Sequence, residues 1–197
     1  MARPRKSDRD EMATVKIENA FWSLLETEKY SDITVLRVSQ EAGINRNSFY
    51  YHYKDIDDLA YKAFVKNAEN EVSRTLISAL LSSFQEGRST LVFDMSILPH
   101  TKRIMLCAGS DSPYLNRLVN DLMKKEWFDS MSIKEELLSA DERMQMRLIS
   151  AGMAAVLGSQ EMRDNPLSMS ILSQTEIGKA MISTMQKIAT KQGTSGS

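Results

Sequence analysis

Two short apolar-patterned segments, separated by one glycine and two further residues, constrain this chain more than any other feature. In the first, Val35, Val38 and Ala42 recur at helical spacing behind Thr34, which stands where an N-cap belongs. Gly43 follows, a residue suited to the left-handed conformation that ends many helices. The second segment, Arg46 to Tyr53, is aromatic, and its Phe49 and Tyr53 are placed to share one helical face. Lys54-Asp55 then interrupts. Two stubby helices joined this tightly pack across one another, which predicts a helix-turn-helix over residues 34–54.

That geometry has a chemical consequence. The first short helix sets the angle of the second, which can then enter a major groove roughly 12 Å wide. With Phe49 and Tyr53 turned inward, Arg46, Asn47, Ser48, Tyr50, Tyr51 and His52 remain for the outer face and the helix start. Arg46 offers a two-pronged donor to guanine, Asn47 a partner for adenine, and Ser48 a contact to a base edge or a phosphate. Tyr50 and His52 suit phosphate contacts, which position a protein without reading sequence. Thr34 and the amides behind it attract a phosphate, as helix N-termini do. Lys54 adds positive charge. The competing reading of this run is a packed aromatic corner. It fits Phe49 and Tyr53, but a helix this short cannot bury Tyr50 and Tyr51 as well.

The remaining sequence reads as helix, with no sustained alternation of period two. Residues 10–28 place Ala13, Ile17, Ala20, Phe21, Leu24 and Leu25 on one face, and Tyr30-Ser31-Asp32 breaks the pattern. Asp55 caps a helix expected from Ile56 to about Phe84, with Asp57 and Asp58 at its positive end. Pro99 and Pro113 mark two further starts, the latter capped by Ser112. Ser132 to Glu135, Ser139 to Glu142 and Ser173 to Glu176 match the capping-box pattern. Helices are expected over 141–160 and 173–190, with Asn165-Pro166 between them. The fold class is therefore all-α. A three-helix head with its N-terminal arm occupies 1–54, a helical regulatory and dimerisation bundle 55–191, and a flexible tail 192–197.

Charge and composition narrow the function classes. The net charge is −1 and the isoelectric point about 6.2. Attraction to a polyanion depends on where charges sit, and the N-terminal arm sets Arg3, Arg5, Lys6 and Arg9 against Asp8 alone. A single cysteine, Cys107, excludes a disulfide framework and a cysteine-rich zinc site, and suits the core. No apolar run reaches the roughly 18 residues of a membrane helix, and the charged start does not resemble a secretory signal, so a cytoplasmic protein without a membrane partner is expected. The two histidines, His52 and His100, are far apart in sequence, and no phosphate loop or nucleophile elbow accompanies them. No enzyme activity, cofactor or metal is expected.

The run from Ile33-Thr34 through Ala42-Gly43, Ser48-Phe49-Tyr50-Tyr51-His52-Tyr53-Lys54 and the acidic pair before Leu59 resembles the TetR-type regulators. The resemblance implies an all-helical homodimeric repressor. Its first three helices would bind double-stranded DNA, and the remainder would form an effector pocket and a dimer surface. Carried onto matching positions, it makes Thr34, Tyr50, His52 and Lys54 phosphate contacts and Arg46 and Ser48 groove contacts. The chain departs from the family at Asn47, where many members have Gly or Pro, and at Ile56, where many have a phosphate-touching Lys.

Beyond the head, the resemblance is one of layout. Ala151, Gly152, Ala155 and Gly158 would let a partner helix approach closely. With Ile177, Met181 and Met185 they compose a four-helix interface between two copies, or else an intramolecular helix pair. Met95, Met105, Met123 and Met153, with Trp127, compose either an adaptable pocket for a small-molecule effector or ordinary core. An adaptor or co-activator, keeping the fold but binding a protein through its bundle, is the alternative to a ligand-released repressor.

Overall fold

The computed structural model describes residues 6–69, 98–164, 172 and 174–194, and the regular structure among them is entirely helical. Helix α1 spans Lys6–Thr27, α2 Val35–Glu41, α3 Arg46–His52 and α4 Ile56–Ala68, with a 3₁₀ turn at Tyr30–Asp32. Then come α5 at Leu98–Ala108, α6 at Pro113–Met131, a 3₁₀ turn at Glu135–Leu137, α7 at Ala140–Leu157, α8 at Gln160–Asp164 and α9 at Glu176–Thr194. The N-terminal residues 1–5, the expected continuation of α4 to Phe84, Met95 and the Asn165-Pro166 break lie outside the described residues.

Local chemistry sets the helix starts. Thr34, Asn45, Asp55, Ser112 and Ser139 each accept, through a side-chain oxygen, the N–H three residues on. Each bond satisfies a donor that the first helical turn leaves without a partner. At Ser139 the capping box is complete: the Ser139 N–H donates to Glu142 Oε2 at 2.7 Å, and the Glu142 N–H donates to Ser139 Oγ at 3.2 Å.

One expected start differs. Ser132 ends α6 in the left-handed region, with φ of 54°. The N–H of Ser132 bonds back to Asp129 and that of Ile133 to Phe128, and Ile133 is buried. This closing pattern, sealed by an apolar residue, wins over the capping box. At α9 the Thr175 hydroxyl accepts the Gly178 N–H at 3.0 Å, and Ser173, the expected cap, lies outside the described residues.

Buried side chains form one continuous cluster. It runs from Ile17, Phe21, Val38 and Phe49 in the first three helices, through Leu59 and Phe64 on α4, to Leu115, Trp127, Met146, Met153 and Met185. Each large apolar side chain removed from water stabilises the fold by about 1.5–3 kcal/mol. Cys107 on α5 is fully buried, and burial pushes its thiol well above the ordinary range.

Polar ties link α4 to α5, α5 to α1, and α4 to the turn before α2. Asn67 on α4 is buried, its Nδ2 donating to the His100 carbonyl at 3.1 Å and its Oδ1 lying 2.9 Å from His100 Nδ1. Lys102 on α5 pairs with Glu26 on α1 at 2.7 Å. The Tyr30 hydroxyl donates to Asp57 at the start of α4.

Helices α5 and α7 meet at a crossing that admits no side chain. A Cβ on Gly158 would lie 2.4 Å from the carbonyl carbon and oxygen of Ala108, and one on Gly109 would lie 2.4 Å from the carbonyl oxygen of Gly158. Gly158 therefore packs against the chain's own α5 end, in line with the intramolecular alternative of the sequence reading.

Candidate nucleic-acid interface

The turn between α2 and α3 begins at Gly43, with φ of +64°. The Gly43 N–H donates to the Gln40 carbonyl at 3.2 Å and the Ile44 N–H to the Ser39 carbonyl at 3.0 Å. These paired bonds close the end of α2, while the Ile44 side chain packs against the core. Two residues on, Asn45 accepts both the N–H and the hydroxyl of Ser48, at 2.8 and 3.1 Å. Asn45 escaped the sequence reading, although an asparagine directly before a helical run is a strong start signal.

Helix α3 is pinned from behind. Phe49 and Tyr53 are buried, their rings 5.7 Å apart. The Tyr53 hydroxyl donates to Glu18 Oε1 at 3.1 Å, and Glu18 Oε2 accepts from Lys66 at 2.8 Å. Burial, then the charge of Glu18, pushes the Tyr53 hydroxyl well above its ordinary range, so it keeps its proton and donates. A cross-brace thus links α3 to α1 and α4.

The other side of α3 forms a solvent-facing ridge. Arg46 and Asn47 are exposed, as are Tyr50 at 57 % and Tyr51 at 64 %. Ser48 is half-buried and its hydroxyl is engaged by Asn45. His52 is also half-buried: Nδ1 lies 3.4 Å from the Thr14 hydroxyl, and the ring meets Tyr51 edge-on at 5.0 Å. Lys54 is exposed at the end of the ridge.

The charges divide into committed and uncommitted groups. Arg37 pairs with Glu28, and Lys62 with Asp58. The Arg46 guanidinium and the Lys54 ammonium form no ion pair among the described residues. Thr34 is exposed, and its Oγ1 accepts the Arg37 N–H at 3.3 Å, which leaves the hydroxyl hydrogen to donate outward. Ile56 packs against the core instead of reaching out beside α3.

The other expected sites are divided by the packing. Met105, Met123, Trp127 and Met153 are all buried. Met105 lines a cleft between α1 and α5, whereas Met123, Trp127 and Met153 line none of the described cavities. Those three fill the core of α6 and α7. On the outer face of α7, Ala151, Gly152 and Ala155 are exposed beside Met144 and Leu148, the latter 75 % accessible. On α9, Ile177 is exposed, Met181 is half-buried, and Met185 is fully buried in the chain's own core. Among the described residues no group of three or more His, Cys, Asp or Glu could hold a metal ion, and no helix is long and apolar enough to cross a membrane.

No family model matches the chain, and no curated protein matches it. A solved structure, that of the TetR family repressor AlkX from Dietzia sp. strain DQ12-45-1b, implicated in biodegradation of n-alkanes, is similar at 17 % identity and a TM-score of 0.38. The match covers 89 % of this chain and 95 % of that one.

Proposed function

We propose that this chain is a TetR-like DNA-binding transcriptional regulator, a homodimeric repressor that a small-molecule effector releases from double-stranded DNA. One observation carries the reading: α3 is held from behind by Phe49, Tyr53 and Glu18, while Arg46, Asn47, Tyr50 and Tyr51 stand in solvent. A short helix braced on one face and polar-aromatic on the other is built to be pressed into something. In this role Arg46 and Asn47 read base edges and Ser48 supports them. Thr34, Tyr50, Tyr51, His52 and Lys54 hold phosphates.

Two copies are needed because one short reading helix specifies few base pairs. Half-sites roughly 34–36 Å apart multiply that specificity. The exposed stripe of Met144, Leu148, Ala151, Gly152 and Ala155, with Ile177 and the edge of Met181, supplies apolar surface for the second copy. The packing of a partly buried Ile56 against the core, where a phosphate-touching lysine would otherwise stand, favours the adaptor reading as the alternative.

Selection of bound sequences from a random double-stranded DNA pool separates the two. A regulator enriches an inverted repeat, and its affinity falls steeply with added salt as phosphate counterions are released. Absence of any enriched sequence, with no salt-sensitive binding to random DNA, would overturn the proposal.

A further inference from the structure

A cleft of about 630 Å³ lies between α1 and α5. Its size falls within the range of small-molecule sites. Trp22, Met105 and Leu106 supply apolar wall, and Lys102, Arg103 and Arg163 face a single carboxylate, Glu26. Most of these charges are already committed. Lys102 pairs with Glu26 at 2.7 Å. Arg163 donates to the Gly158 carbonyl and to Gln160.

Arg103 is different. Its guanidinium lies over the Trp22 ring, 5.3 Å from the centroid, and has no hydrogen-bond or ion-pair partner among the described residues. Partial burial lowers its proton affinity, and the nearby charges of Glu18 and Glu26 only partly offset this. Glu18 is itself engaged with Tyr53 and Lys66. Neighbouring His100 is also held below its ordinary range, by desolvation and then by the charge of Arg103. The cleft therefore has a positive charge that the protein leaves unmatched. The Trp22 ring holds that guanidinium by cation–π attraction, and its N–H groups stay available to a carboxylate, which a guanidinium can bind in two-pronged fashion.

We infer that the α1–α5 cleft binds an organic anion, a carboxylate on a ring-sized apolar body, with the head on Arg103 and the body against Met105 and Leu106. Only the name effector for this ligand rests on the regulator reading. Because the walls come from the helix behind α3 and from the bundle, occupancy alters how the two are held.

The test is calorimetric titration of the full chain, without DNA, by 1-naphthoate, 1-naphthylmethanol and 1-naphthylmethylammonium. Naphthoate is expected to bind at least about tenfold more tightly than the alcohol, a difference of about 1.4 kcal/mol. The ammonium should bind least. Proton–nitrogen spectra should show the Trp22 indole shifting and the Trp127 indole unmoved. Arg103→Met should abolish the preference for the anion, Arg103→Lys should keep part of it, and Lys124→Met, in the separate groove of α6 and α7, should leave it intact. Equal binding of the three compounds, no binding of naphthoate at about 5 mM, or undiminished anion preference in Arg103→Met would overturn the inference. Failure here leaves the DNA selection result standing, and failure of the DNA selection leaves this titration standing.

Discussion

Asp111, in the turn between α5 and α6, accepts the backbone N–H of Tyr30 at 2.9 Å through one carboxylate oxygen, and its other oxygen takes the Ser31 hydroxyl at 2.9 Å. One surface residue of the bundle thereby clamps the turn that launches α2. Partial desolvation would raise the Asp111 pKa, but the hydrogen bonds from Ser31 and Tyr30 outweigh it and the net shift is downward. We expect Asp111→Ala to speed amide exchange at Tyr30 several-fold, as loss of a hydrogen bond of about 1 kcal/mol does. Exchange at Phe49, deep in the core, should not change. Equal protection at Tyr30 in both proteins would show that the clamp contributes nothing in solution.

Arg46 stands at the first turn of α3 with no ion-pair partner among the described residues. If it reads a guanine, Arg46→Ala should weaken binding to the selected sequence by roughly 1–3 kcal/mol and relax preference at one base pair. Quantitative competition between selected and random duplexes measures this. Equal weakening on both would reassign Arg46 to the phosphate backbone.

Gly152 and Gly158 lie on one small-residue run yet should respond oppositely. A Cβ on Gly152 meets nothing within 4 Å, whereas one on Gly158 meets the backbone of α5. Gly158→Ala should destabilise the fold by about 1–3 kcal/mol, seen as a lower Tm. Gly152→Leu should leave Tm of the subunit nearly unchanged but weaken self-association, seen in sedimentation across a concentration series. Unchanged association in Gly152→Leu would remove the outer face of α7 from the dimer surface.

Glu142 joins α7 to α9. It accepts Lys191 at 2.7 Å and the Ser139 N–H at 2.7 Å, and these bonds, Lys191 first, hold its carboxyl at about 2 instead of the usual 4.5. A depressed folded value stabilises the fold in full above pH 4.5, and the gain is lost as pH falls towards about 2. The Tm advantage of the natural chain over Glu142→Gln should therefore be present at neutral pH and vanish across that window. High salt should shrink it, because Lys191 is largely exposed. A pH-independent advantage would mean that the carboxylate charge is immaterial.

The sequence alone determined the parts of this protein that depend on close neighbours. Thr34, Asp55, Ser112 and Ser139 act within three residues of themselves, and Gly43 acts on the turn it occupies. Phe49 and Tyr53 face inward because helical periodicity puts both on one side, which leaves Arg46, Asn47, Tyr50 and Tyr51 outside. Tertiary structure decided what those rules leave degenerate. Ile177 and Met185 share a predicted stripe, yet one is exposed and the other buried. Gly158 is separated from Gly152 by the backbone of α5 lying against it. Arg103 meets Trp22 from a distant part of the chain. Local patterns report which side of a helix is apolar. Which partner covers each stretch of that side depends on long-range packing, and such packing leaves no period to read.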